Sequence, residues 1–166
     1  MFSLGLMTRH VLIALAVATN AALAQEPSRF RASIGRFGGH AYSVELNDGK
    51  LIYEDSVADA KPTSLTITPS ADQLRAVRRA LDELGAWAWR DSYQPNEIIL
   101  DGTSWSLSVR YPDRSLVTEG GNCYPDARGQ PSGVPLRTPA FRKFEAAVET
   151  LLGGRPFHSD DQTTDR

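Results

Sequence analysis

Residues 104–111 read Ser-Trp-Ser-Leu-Ser-Val-Arg-Tyr, with every second side chain apolar. A period of two belongs to a β-strand with one buried face and one wet face. Trp105, Leu107, Val109 and Tyr111 then point into a core, while Ser104, Ser106, Ser108 and Arg110 point away from it. Such a strand requires a sheet whose apolar side is covered by another layer.

The rest of the chain supplies both parts. Residues 29–34 alternate, with Phe30, Ala32 and Ile34 on one side. Glycines at 35–39 break that strand, and Tyr42, Val44 and Leu46 begin a second. It runs into Asn47-Asp48-Gly49, a pairing suited to the positive φ angles of a tight hairpin, so 51–54 return as a third strand. Residues 63–68 make a weaker fourth, 97–100 a short one, and 115–118 pair back on 104–111 across Pro112-Asp113. Ser70 with Gln73 forms a capping box, and Leu74, Val77, Leu81 and Leu84 give the following helix one apolar stripe ending at Gly85. Trp87, Trp89 and Tyr93 pack the exit of that helix against the sheet. Thr138-Pro139 opens a second helix with the stripe Phe141, Phe144, Val148 and Leu151, ended by Gly153-Gly154. Between them, 120–139 reads as a long loop rich in glycine and proline. The expectation is an α+β fold: an antiparallel sheet of about five to six strands with two helices packed on one face.

The start of the chain has a different character. Arg9 precedes the apolar run 11–18, and Ala22-Leu23-Ala24 follows, the pattern of a cleaved signal peptide spanning 1–24. The apolar run is too short to span a bilayer, so no membrane anchor is expected after cleavage. A single domain is expected over 25–154, in the periplasm or secreted, with 155–166 a polar, disordered tail. The 142 residues left after cleavage carry 17 basic and 20 acidic side chains, a net charge of −3, which does not suit a nucleic-acid partner. Arg75, Arg78 and Arg79 are the one basic cluster and fall on the polar side of the first helix.

Candidate chemistry is sparse. Outside the signal segment the histidines are His40 and His158, and the one cysteine is Cys123. No close ligand cluster predicts a metal, and no phosphate loop or nucleophile elbow predicts a cofactor or an esterase. One nucleophilic pairing survives this count, Cys123 with His40, but it requires a contact across the fold. Lone cysteines in exported domains are buried, paired with another chain, or reactive, and burial is the default. Glu97, Asp101 and Glu119 flank the main hairpin as carboxylates without a defined role. The aromatics Trp87, Trp89, Tyr93, Trp105, Tyr111 and Tyr124 suit either a shared core or a binding groove. The serine side of 104–110 reads either as a solvated face or as a shallow anion strip beside Arg110.

The order Trp87-x-Trp89, Tyr93, Asp101-Gly102-x-x-Trp105, then Gly120-x-Asn122-x-Tyr124-Pro125 and a closing helix with Phe141, resembles an uncharacterised family of bacterial exported domains. The resemblance spans roughly residues 37–154. It implies this architecture behind an export signal and assigns no activity. Read from the residues themselves, Gly120-Gly121 permit a bend, Asn122 bonds the backbone groups the bend frees, and Tyr124-Pro125 stiffen the exit. The alternative is a polar pocket of Asn122 and Tyr124 beside Arg110. The functional expectation is a non-enzymatic module that binds an envelope component, a peptide or a protein. The other reading is a small thiol-dependent or hydrolytic enzyme using Cys123 and His40.

Overall fold

The computed structural model describes residues 26–58, 60–95 and 102–158. The expected signal peptide, the expected strand at 97–100 with Glu97 and Asp101, and residues 159–166 lie outside the described residues.

The fold is α+β, with seven strands in one sheet and two α-helices. Strand β1 is Arg29–Arg36, β2 is His40–Asn47, β3 is Lys50–Val57 and β4 is Thr63–Ile67. Helix α1 (Ala71–Glu83) leads through a 3₁₀ turn (Ala86–Ala88) to β5 (Ser92–Tyr93). Then come β6 (Thr103–Arg110), β7 (Ser115–Gly121) and helix α2 (Pro139–Leu151). The order across the sheet is β4-β3-β2-β1-β6-β7-β5.

Local signals account for most of this. Asp48 and Gly49 both take positive φ, 48° and 72°, so the β2–β3 hairpin turns where the Asp-Gly pair predicts. Ser70 Oγ accepts from Gln73 N at 3.2 Å, and Gln73 Oε1 accepts from Ser70 N at 2.8 Å, completing the capping box. The Gln73 side-chain amide also donates to the carbonyls of Thr150 and Leu151, so one residue caps the start of α1 and the end of α2. Thr138 Oγ1 accepts from Phe141 N at 3.0 Å, with Pro139 in the first turn of α2.

Alternation places one side of each long strand in the core. Phe30, Ala32, Ile34, Val44, Leu51, Tyr53, Trp105, Leu107 and Val109 are buried with the helix residues Val77, Leu81, Phe141, Phe144, Val148 and Leu151. The six aromatics near the centre of the sequence belong to this core rather than to a groove. Trp89, Tyr93, Trp105, Tyr111 and Tyr124 are buried, and Trp87 packs half-buried at its margin. The opposite face of the sheet carries a register row running Ser64, Glu54, Ser43, Ser33, Ser106, Glu119 and Ser92 across all seven strands. Two glutamates in that row oppose an anion strip. A solvated face is the reading that fits.

Three expectations require correction. The sheet has seven strands rather than five to six, and β5 pairs with β7 in parallel. Two residues are too few to show any alternation, so β5 is invisible to a period of two. Gly120 and Gly121 belong to β7 and not to the loop. A methyl group at Gly120 would lie 2.5 Å from Trp105 Nε1, so glycine is there to admit the indole. The tail does not begin at 155. Phe157 is fully buried, 6.4 Å from the Phe144 ring, and Tyr53 OH donates to the Pro156 carbonyl at 2.9 Å.

Arg78 also departs from a solvated helix face. Its guanidinium lies 5.0 Å from the Trp87 ring centroid and 4.5 Å from that of Tyr111, and bonds Asp82 and Asp113. Those bonds, with help from Arg114, hold the Asp113 carboxyl well below the usual carboxylate range. The cluster fastens the β6–β7 turn to the end of α1.

A polar groove beside strand β5

Residues 102–105 and the Gly-x-Asn-x-Tyr-Pro segment meet in space. Asn122 takes φ 49°, a left-handed conformation that asparagine tolerates, and its Oδ1 accepts from Thr103 N at 2.9 Å. A methyl group at Gly102 would lie 1.8 Å from Asn122 Nδ2, so the glycine makes room for that amide. Trp105 Nε1 donates to the Cys123 carbonyl at 2.9 Å, and Tyr124 stacks on Trp105 and packs against Phe141. The two segments therefore lock the end of β7 to the start of β6, as the backbone-bonding reading of Asn122 requires.

Beyond Asn122 the chain folds back on itself. Asp126 Oδ1 accepts from the backbone N–H of Gln130 and of Arg128, each at 2.8 Å, and those bonds lower its carboxyl from the ordinary value. Asp126 N donates to the Gln130 carbonyl, and Ser132 N to the Tyr124 carbonyl, both at 2.8 Å. Tyr93 OH ties this loop to β5 by donating to the Gly129 carbonyl at 2.8 Å.

Between the loop and β5 lies a groove of about 870 Å³. Arg90, Ser92, Gln94 and Pro95 line it from the β5 side, Gln130 to Pro135 from the loop, and Asn122 lines it as well. Arg90 is the one charged residue among the lining residues. Its backbone is fixed from both sides, since Arg90 N donates to Tyr93 OH at 3.0 Å and Thr118 Oγ1 donates to the Arg90 carbonyl at 2.7 Å. Its guanidinium donates to Gln130 Oε1 at 2.6 Å and has no carboxylate partner among the described residues. A positive charge whose single side-chain partner is neutral favours a carboxylate, to which a guanidinium can give two parallel bonds. The amides of Gln94, Gln130 and Asn122 and the hydroxyls of Ser92 and Ser132 suit peptide groups.

The predicted binding set is only partly assembled. Asn122 lines the groove, but Tyr124 is buried behind it, contributing its backbone N–H to Ser132 Oγ at 3.1 Å. Arg110 ends β6, and Asn122 bonds Thr103 at the other end. Seven residues of strand, about 23 Å, separate them. Arg90, and not Arg110, lines the groove with Asn122.

The nucleophilic pairing is not assembled either. His40 begins β2, where its Nδ1 meets Asp55 Oδ1 at 2.9 Å and its ring stacks on Tyr42. Cys123 follows β7, three strand spacings away across the sheet, about 14 Å. The thiol is buried and directed at the Ser132 carbonyl, 3.6 Å away. No cluster of three or more potential metal ligands occurs among the described residues.

Sequence reasoning missed Arg90, Gln94 and Gln130 because the groove is made where β5 meets a loop some forty residues later. The signal available was the loop itself, long and rich in turn formers. It also missed Glu145, which lies beside the apolar stripe of α2 and is buried with Arg137 Nη1 at 3.1 Å. Burial pushes its carboxyl up to about 7, against the opposing pull of Arg137. Comparison with models of known protein families gave no match, and neither did comparison with curated proteins.

Proposed function

We propose that this chain is a non-enzymatic binding module of the bacterial cell envelope, periplasmic or secreted. Its site is the groove beside β5, and its ligand is a short extended peptide carrying a carboxylate. The observation that carries this reading is Arg90, the single charge among the described lining residues, which otherwise offer mainly amides, hydroxyls and prolines. Strand β5 is the last strand of the sheet among the described residues, so an extended ligand can add to its outer edge by backbone hydrogen bonds while Arg90 takes the carboxylate. The loop wall is fixed by its own bonds, which lowers the ordering cost of binding. The wide separation of His40 from Cys123 weighs against the thiol-enzyme reading, and no pair of a nucleophile with a base occurs among the described lining residues of the groove. No helix among the described residues is long and apolar enough to cross a membrane.

The test is calorimetric titration with acetylated tripeptides bearing a free C-terminal carboxylate and with the same peptides as C-terminal amides. A charge-assisted bond is worth about 1.5 to 3 kcal/mol, so the carboxylate series should bind at least about tenfold more tightly. Arg90→Gln should abolish the difference. Equal affinity for both series in the wild-type protein would overturn the assignment.

A further inference from the structure

The groove has a neighbour of opposite character. Past Gln94, where β5 meets β7, the serine face of the sheet is hollowed by about 430 Å³. Gly121 makes the hollow: it lies two residues beyond Glu119 on β7, faces the same way and carries no side chain. Ser104 stands opposite Gly121 on β6, and Ser106 stands opposite Glu119. Gln94 borders the other side, its Oε1 3.3 Å from where a methyl group at Gly121 would sit. Gln94 Nε2 is turned to Ser92 Oγ at 3.4 Å, so the acceptor end of this amide is the one over the hollow.

The chemistry of the hollow inverts that of the groove. Glu119 is the one charged residue among its described lining residues, and it is exposed, with no cationic partner among the described residues. Ser92 neighbours Glu119 in the register and lies two residues from Arg90. Opposite charges therefore stand on either side of Ser92 with no ion pair between them. A carboxylate, an amide oxygen and two hydroxyls make a site rich in acceptors. An ammonium, with three N–H donors and no acceptor, is the group that such a site satisfies. We propose that the hollow is an ammonium subsite centred on Glu119, so that the ligand carries an ammonium as well as a carboxylate. This rests on the groove reading above and narrows it to peptides with a free N-terminus or a lysine side chain. Such a ligand complements both charges at once, and the pair fixes the direction in which it lies. An acetylated peptide without lysine fills the groove alone.

Calorimetric titration at low salt tests this, with carboxylate peptides of roughly two to five residues, each made acetylated and with a free N-terminus. A parallel acetylated series carries one lysine. At one or more lengths the ammonium should tighten binding about three- to tenfold, between the worth of an exposed ion pair and that of a charge-assisted hydrogen bond. Glu119→Gln should remove that gain and keep the preference for acids over amides. Glu54→Gln, on the same face and in the same register row, should change neither. Whichever series shows the gain names the source of the ammonium. An N-terminal gain should vanish between about pH 7 and 9, where that amine discharges, whereas a lysine gain should persist. No gain in either series at any length, or a gain that survives Glu119→Gln, would overturn the inference and leave the groove assignment standing. Equal binding of acids and amides would overturn both.

Discussion

Removing the aromatic ring of Phe157 should unfold this domain measurably, although the residue lies near the end of the chain in a polar run. The ring is fully buried and meets Phe144 edge-on. Burying a phenylalanine side chain is worth about 1.5 to 3 kcal/mol by transfer, and phenylalanine-to-alanine changes in cores cost about 3 to 5 kcal/mol where the cavity cannot collapse. The segment 155–158 can undock rather than hold a cavity, which favours the lower figure, about 3 kcal/mol. Undocking carries other losses with it: the Tyr53 bond to the Pro156 carbonyl, the Phe157 N–H bond to Glu149 at 3.0 Å, and the His158–Glu149 contact at 2.6 Å. For a domain of this size 1 kcal/mol moves Tm by roughly 3 to 4 °C, so Phe157→Ala should lower Tm by about 10 °C. Truncation after Gly154 should do at least as much, and Phe157→Leu should cost under about 1.5 kcal/mol. Differential scanning calorimetry of the three variants checks this. A truncated protein melting within about 2 °C of the wild type would refute the packed account of this segment.

Glu145 holds its proton to about pH 7 in the fold and to its ordinary 4.5 when unfolded. Between these values the folded state binds more protons, so stability should fall as pH rises from about 4.5 to 7 and then level, by at most about 3 kcal/mol. Urea unfolding across that window should show this slope in the wild type and lose it in Glu145→Gln; the same slope in both would exclude Glu145 as its source. Gly120→Ala drives a methyl group into Trp105 Nε1 and the Cys123 carbonyl, and chemical denaturation should register a loss of about 1 to 3 kcal/mol or more. Cys123 should react slowly with a thiol reagent in the native protein and fully in denaturant, because its side chain is enclosed; rapid native labelling would contradict its placement.

What the sequence disclosed was what local chemistry decides. The alternation read over 104–111, the Asp48-Gly49 turn, the Ser70 capping box and the Thr138-Pro139 start each depend on residues within a few positions; the strand is found one residue earlier, at Thr103–Arg110, and the others where they were read. Features made by distant partners were not legible. Arg78 looks solvated on a helical wheel, yet Trp87 and Tyr111 enclose it. Phe157 is one aromatic in a polar run and carries no period, so nothing local separates a docked ring from an exposed one. The pair Gly120-Gly121 resembles a strand breaker because the reason for Gly120 lies on the neighbouring strand, in the indole of Trp105. Asn122 was legible as a backbone-bonding residue because an asparagine side chain beside a turn commonly bonds nearby backbone groups; its left-handed φ was not read. Arg90 was not, because its site exists only after β5 pairs with β7.

The most direct test of the groove assignment is backbone amide NMR during titration with an acetylated tripeptide bearing a free carboxylate. The account predicts progressive shifts confined to Arg90, Ser92, Gln94, Asn122, Gln130 and Ser132, with none on the serine face around Ser33 and Ser106. Shifts centred on that face, or none up to about millimolar ligand, would contradict it.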